Sequence, residues 1–161
     1  MIRTATNADA IKIAKIYNYF ITNTFITFEE EPVSADEICT RISNSISASL
    51  PWLVLEDNGE VIGYAYATQW RARPAYKHSV ETTVYLSKNY SGKGLGKLLY
   101  SKLISELTAS GLHTAIGGIA LPNEASVGLH ESLGFKKVAH FQEVGNKFNK
   151  WIDVGYWQII L

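Results

Sequence analysis

The chain has 161 residues, 47% apolar and 19% charged, with 15 basic residues balancing 15 acidic ones. That is enough chain for one domain with a core, and the zero net charge gives no broad field for nucleic acid or an anionic lipid surface. A single cysteine, Cys39, excludes an internal disulfide or a thiolate metal cluster and reads as a small buried apolar residue in a reducing cytoplasm.

The N-terminal "MIRTATNADA" lacks the apolar centre of a signal peptide, and no apolar run has the length of a membrane span. "MIRTA" is expected to form an edge strand, with Asn7 or Asp9 capping the helix that follows. Ile13, Ile16, Tyr17 and Phe20 recur at helical spacing. "ITNTFITFEEEP" breaks that pattern and reads as a long aromatic loop. Ser34 followed by Glu37 is a capping-box pattern that opens a second helix.

"PWLVLEDNGEVIGYAYATQW" predicts a hairpin turning at Asp57-Asn58-Gly59. "HSVETTVYLS" predicts a strand with Val80, Thr82, Val84 and Leu86 on one face and Glu81, Thr83 and Tyr85 on the other. After a glycine-rich stretch, Leu98, Leu99, Leu103, Ile104 and Leu107 make an amphipathic helix that ends at Gly111. "TAIGGIAL" is a strand, Asn123 caps a short helix closed by Gly134, and "FKKVAHFQEV" and "WIDVGYWQIIL" supply two final strands. The order β-α-α-β-β-β-α-β-α-β-β indicates an α+β or mixed α/β sheet in one domain over residues 1–161, rather than a doubly wound one.

"NYSGKGLGKLLYSKL" carries the chemistry. Gly92, Gly94 and Gly96 alternate with Lys93 and Leu95, then Lys97 and a helix follow. A phosphate loop of the Walker type needs four residues between its first glycine and Gly-Lys, where this chain has three; the dinucleotide fingerprint needs G-x-G-x-x-G. What remains is a turn that offers successive N–H groups to a pyrophosphate at the positive end of a helix.

"VETTVYLSKNYSGKGLGKLLYSKLI" followed by "IALPNEASVGLHESLGF" resembles the GNAT family of N-acetyltransferases. Gly94 and Gly96 match the family's first motif, although Ser91 stands where Arg or Gln is usual, with Lys93 as a substitute. Asn123, Ser126, His130, Gly134 and Phe135 match the second. "WRARPAYKHSVETTVYLS", "NEASVGLHESLGF" and "GNKFNKWIDVGYWQ" are similar to the branch that acetylates phosphinothricin, methionine sulfone or methionine sulfoximine.

The resemblance implies the family's acyl-CoA N-acyltransferase fold: a mostly antiparallel central sheet with one splayed parallel strand pair, flanked by helices. It implies acetyl-CoA as cosubstrate, a small amino acid or analogue as acceptor, and a homodimer; His78, His113 and His140 are scattered without ligand spacing, so no metal site is expected. Residues 92–97 (Gly92, Lys93, Gly94, Leu95, Gly96, Lys97) would take the pyrophosphate, and Val84, Tyr85, Leu86, Asn123 and Ser126 the pantetheine arm.

Acetyl transfer needs a base for the ammonium, a polarised carbonyl and a proton for the leaving thiolate. Glu81 is the candidate base, directly or through water; a solvated sheet-face carboxylate is the alternative. His130 and Tyr100 are candidate acids, against structural roles for both. Arg71 and Arg73, taken as strand residues, would point to one face and fork an anionic group. Phe28 and Lys147-Phe148 would close that pocket. Acetylation of a protein N-terminus or another small amine, and a non-catalytic acyl-CoA-binding module, are the competing functions.

Overall fold

The computed structural model describes residues 1–161. It runs β1 (Ile2–Thr4), α1 (Ala10–Asn23), α2 (Ala35–Ser47), β2 (Trp52–Asp57), β3 (Glu60–Gln69), β4 (Ser79–Leu86), α3 (Leu95–Ala109), β5 (Thr114–Leu121), α4 (Glu124–Ser132), β6 (Lys136–Lys147) and β7 (Lys150–Ile160). This is the element order expected from the sequence. The strands form one seven-stranded sheet in the order β1-β2-β3-β4-β5-β7-β6. Every neighbouring pair is antiparallel except β4–β5, which is parallel.

Strand parity divides the core. On β2, Leu53 and Leu55 join α3 residues Leu99, Leu103 and Leu107 in one apolar cluster. Trp52 and Val54 turn the other way, against Ile13 and Ile21 of α1 and Ile38 and Ile42 of α2. A period-two strand thus serves two helical layers, one per sheet face. The β2–β3 hairpin closes through Asn58 (φ 49°) and Gly59 (φ 79°), the left-handed pair that a tight two-residue turn demands.

Several local expectations change. Asp9 does not simply cap α1: a short 3₁₀ turn over Asn7–Asp9 precedes the helix. The Asp9 carboxylate accepts from Thr6 N at 2.7 Å and from both Arg3 guanidinium nitrogens at 2.8 Å. A bidentate charged donor outcompetes a lone cap bond. Next, α1 continues through Asn23, so the loop begins later than the break in periodicity suggests. Ser34 accepts from Glu37 N at 3.1 Å, but the Glu37 carboxylate turns to Arg41 at 2.9 Å and leaves the capping box half made. On α3, Leu98 is exposed and the fully buried Tyr100 takes its place on the core face. Cys39 is only partly buried.

Candidate active site

The parallel pair β4–β5 is registered over three residue pairs only, Ser79–Thr114, Val80–Ala115 and Glu81–Ile116. Beyond them β4 stays paired to β3 as far as Leu86, and β5 stays paired to β7 as far as Leu121. The two strands therefore part, each held by its other neighbour, and their facing edges open into a gap.

A cleft of about 500 Å³ occupies that gap. Val84, Tyr85 and Leu86 line it from β4, Asn123 and Ser126 from the start of α4, and Gly92, Gly94, Gly96 and Lys97 from the glycine turn. Gly92 (φ 75°) and Gly94 (φ 77°) are both left-handed, and Gly94 is the residue from which α3 starts. Glycine alone reaches this conformation without strain and leaves the first N–H groups of α3 uncovered. The donor set suits a pyrophosphate: uncovered N–H groups at the positive helix end, with the Lys97 ammonium beside them. Ser91 also lines the cleft. Lys93 and Leu95 are not among its lining residues. Lys93 lies over the Tyr90 ring at 5.1 Å, and Leu95 packs against the α3-side core.

A second cavity, about 250 Å³, lies where β4 and β5 diverge, with Tyr17 of α1 and His130 of α4 both in its lining. It shares Ile26, Val84, Tyr85, Asn123 and Ser126 with the cleft, so the two spaces meet where the strands diverge. Glu81 lines this cavity. Burial raises its pKa above the ordinary carboxylate range, and the nearby Arg71 guanidinium pulls it part of the way back. The reading of Glu81 as a freely solvated sheet residue does not hold.

His130, 5% exposed, enters from α4. Its Nδ1 lies 2.7 Å from the Ser126 carbonyl oxygen, which can only accept, so Nδ1 carries the proton. In the neutral ring Nε2 then accepts from the Tyr100 hydroxyl at 3.1 Å, and Tyr100 in turn accepts from Thr82 Oγ1 at 2.6 Å. Burial lowers the His130 pKa and raises that of Tyr100. Burial disfavours the charged form of each, so an imidazolium is harder to form at His130 while Tyr100 keeps its hydroxyl proton. A Cβ on Gly117 would collide with His130 Nε2, so the first glycine of "TAIGGIAL" exists to admit this ring. The second, Gly118, faces the other way: a Cβ there would sit 3.1 Å from Tyr156 and 3.6 Å from Glu81 Oε1.

The arginine pair departs from expectation. β3 ends at Gln69, and Arg71 and Arg73 lie in the loop before a 3₁₀ turn that starts at Pro74. They form no strand fork. Arg71 lies over the Trp70 ring at 4.9 Å, and Trp70 meets Tyr156 edge-on at 5.7 Å. Arg71 and Arg73 are both exposed and neither lines the smaller cavity, but Arg71 alone is close enough to lower the Glu81 pKa. The Phe28 ring lies against Gly145 of β6. Lys147 is 2% exposed, and its ammonium donates to the Ile21 carbonyl at 2.7 Å and the Thr27 carbonyl at 2.8 Å. A solvated hairpin-tip lysine is therefore excluded.

Tyr17, Thr27, Tyr66, Thr83 and Gly118 also line the second cavity. None carried a sequence signal for this role except Gly118, since paired glycines inside a strand mark a close approach.

The comparisons agree with this geometry. Residues 2–155 match the Acetyltransferase (GNAT) domain family. The L-amino acid N-acyltransferase MnaT of Escherichia coli (strain K12) is 40% identical over 99% of this chain and 93% of its own length. The L-methionine sulfoximine/L-methionine sulfone acetyltransferase of Salmonella typhimurium is 38% identical over 99% and 94%. A phosphinothricin acetyltransferase from Sinorhizobium meliloti, solved in complex with acetyl-CoA, superposes with a TM-score of 0.97 at 38% identity, covering 100% of this chain and 88% of that one. A splayed strand pair, a glycine-turn helix start and these full-length matches lead to one conclusion: the chain belongs to the GNAT family and is an acetyl-CoA-dependent N-acetyltransferase.

Proposed function

We propose that the enzyme acetylates the amino group of a small amino acid or analogue, of the phosphinothricin, methionine sulfone or methionine sulfoximine type. The observation that carries this is the junction of the long cleft with a small polar cavity that holds a desolvated carboxylate, Glu81. A cavity of about 250 Å³ suits a single amino acid better than a folded protein terminus. The Arg71 guanidinium near Glu81 opposes a polyamine.

The residue roles follow as part of this proposal. The glycine turn with Lys97 binds the pyrophosphate, with Lys93 and Leu95 contributing backbone only. Val84, Tyr85, Leu86, Asn123 and Ser126 hold the pantetheine arm beside the open β4 edge. Bound acetyl-CoA supplies an activated thioester. Glu81 takes the proton from the acceptor ammonium; its raised pKa brings it nearer to neutrality, where a base works best. Phe28 lines neither space and acts only by backing its loop against Gly145 of β6, and Arg71, rather than both arginines equally, meets the acceptor's anion. The proton for the leaving sulfur is assigned to solvent. His130 and Tyr100 keep the floor of the cavity rigid, because both His130 nitrogens are engaged.

The proposal extends to one catalytic domain over residues 1–161, in the cytoplasm, acting as a homodimer. No helix is long and apolar enough to cross a membrane. Val138, Val144 and Trp151 are exposed on β6, an edge strand, and its partner β7, and a second copy would cover them.

The test is thiol release from acetyl-CoA with a panel: methionine sulfone, methionine sulfoximine, phosphinothricin, their carboxamides, spermidine and a short peptide. The free amino-acid analogues should turn over fastest. Preference for spermidine or the peptide would defeat the acceptor assignment.

A further inference from the structure

Lys147 holds a buried ammonium that the proposed chemistry does not use. It donates to two backbone carbonyls far away in sequence, Ile21 in the last turn of α1 and Thr27 in the following loop. The Ile21 carbonyl is one of the four a helix end leaves without an internal partner, and the negative helix terminus favours a cation there. Thr27 also bonds the Tyr17 hydroxyl at 2.8 Å. Ile26 and Thr27 both line the acceptor cavity.

Two residues before Lys147 on β6, Gly145 meets the Phe28 ring, and a Cβ there would collide with it. Gly145 and Lys147 are both buried while Asn146 between them is exposed, so both act from one strand face. The loop is fastened on its other side by Glu29, which forms a bidentate pair with Arg41 of α2 at 2.6 and 3.1 Å.

We propose that Lys147 is a positioning residue: it ties the loop between α1 and α2 to β6, and so sets acceptor affinity without touching the acceptor. This rests on reading the smaller cavity as the acceptor site. Its chemistry differs from that of a charge that reads a substrate carboxylate. A strut acts on every acceptor that uses the wall formed by Ile26 and Thr27, whether anionic or not.

The variant K147M keeps the apolar stem and removes both hydrogen bonds. Losing two charge-assisted bonds should raise the acceptor KM about tenfold or more, by the same factor for methionine sulfone and for its carboxamide, with kcat within about threefold. Coenzyme A affinity should change several-fold less than the acceptor KM, because Ile26 borders both spaces and Thr27 only the smaller one. A rise confined to the free acid would show that Lys147 reads the carboxylate directly, and an unchanged KM in folded K147M would also overturn the proposal. If the parent enzyme turned over neither amine, the acceptor reading would fail and the strut would still be read from the loop: chymotrypsin should cut after Phe25 or Phe28 about tenfold faster in K147M. Equal cutting rates would reject it. K147Q, which keeps a shorter neutral donor, reads the same effects if K147M fails to fold. It should fall between the parent and full loss, and parental behaviour would count against the strut.

Discussion

Glu81 and Ile116 form the last registered pair between β4 and β5. One residue further on the strands have separated, and the gap between them becomes the cleft. The carboxylate therefore stands where sheet ends and binding space begins. That position desolvates it without closing it in, because it still lines the smaller cavity.

Glu81→Gln should fold normally and bind coenzyme A as the parent does, since the amide keeps the shape. Turnover should fall by about 10²-fold or more if the carboxylate takes the ammonium proton. Near-parental rates across the pH range would leave Glu81 as a positioning group only.

Arg71 holds the Glu81 pKa down against the effect of burial. In Arg71→Ala that pull is gone, so the Glu81 pKa should rise further. The acid limb of the kcat/KM profile, where activity falls as Glu81 becomes protonated, should then move to higher pH. Arg73→Ala should leave the limb in place. A stationary limb in Arg71→Ala would separate Arg71 from the base.

Gly94 stands at φ 77°, and a Cβ added there would meet no atom within 4 Å. The obstacle to a side chain is backbone strain rather than a clash. Gly94→Ala should cost roughly 1–2 kcal/mol of stability from the left-handed backbone. Coenzyme A affinity, titrated well below the melting temperature, should fall as well, because relief of that strain would turn the first N–H groups of α3. Retained affinity in the folded variant would remove the glycine turn from the pyrophosphate site.

Burial lowers the His130 pKa below its ordinary value of 6.5. As pH falls through 6.5, the unfolded chain takes up a proton that the folded chain refuses. The stability contributed by neutral His130 is therefore present above 6.5 and is lost between 6.5 and the lower folded value. Urea midpoints measured from about pH 7.5 to about pH 5 should fall through this window, and less so in His130→Leu, whatever that variant's overall stability. Equal slopes would mean that the ring is not held neutral by its surroundings.

Local chemistry was legible from the residues themselves. Alternation along "VETTVYL" assigns each β4 side chain to a face, because the strand period is a covalent fact. The left-handed conformations at Gly92 and Gly94 follow from the spacing of residues that lack a Cβ. Full-length likeness to known acetyltransferases rests on the same local motifs. The remaining features depended on partners distant in sequence. Arg71 and Arg73 look like a strand pair until β3 ends at Gln69. Lys147 looks like a hairpin-tip lysine until the fold brings it the carbonyls of Ile21 and Thr27. His130 reads as a lone ring on a short helix until Tyr100 and the Ser126 carbonyl engage its two nitrogens beneath Gly117. A side chain's charge state and reach are set by the dielectric and the donors around it, and only tertiary packing brings those surroundings together.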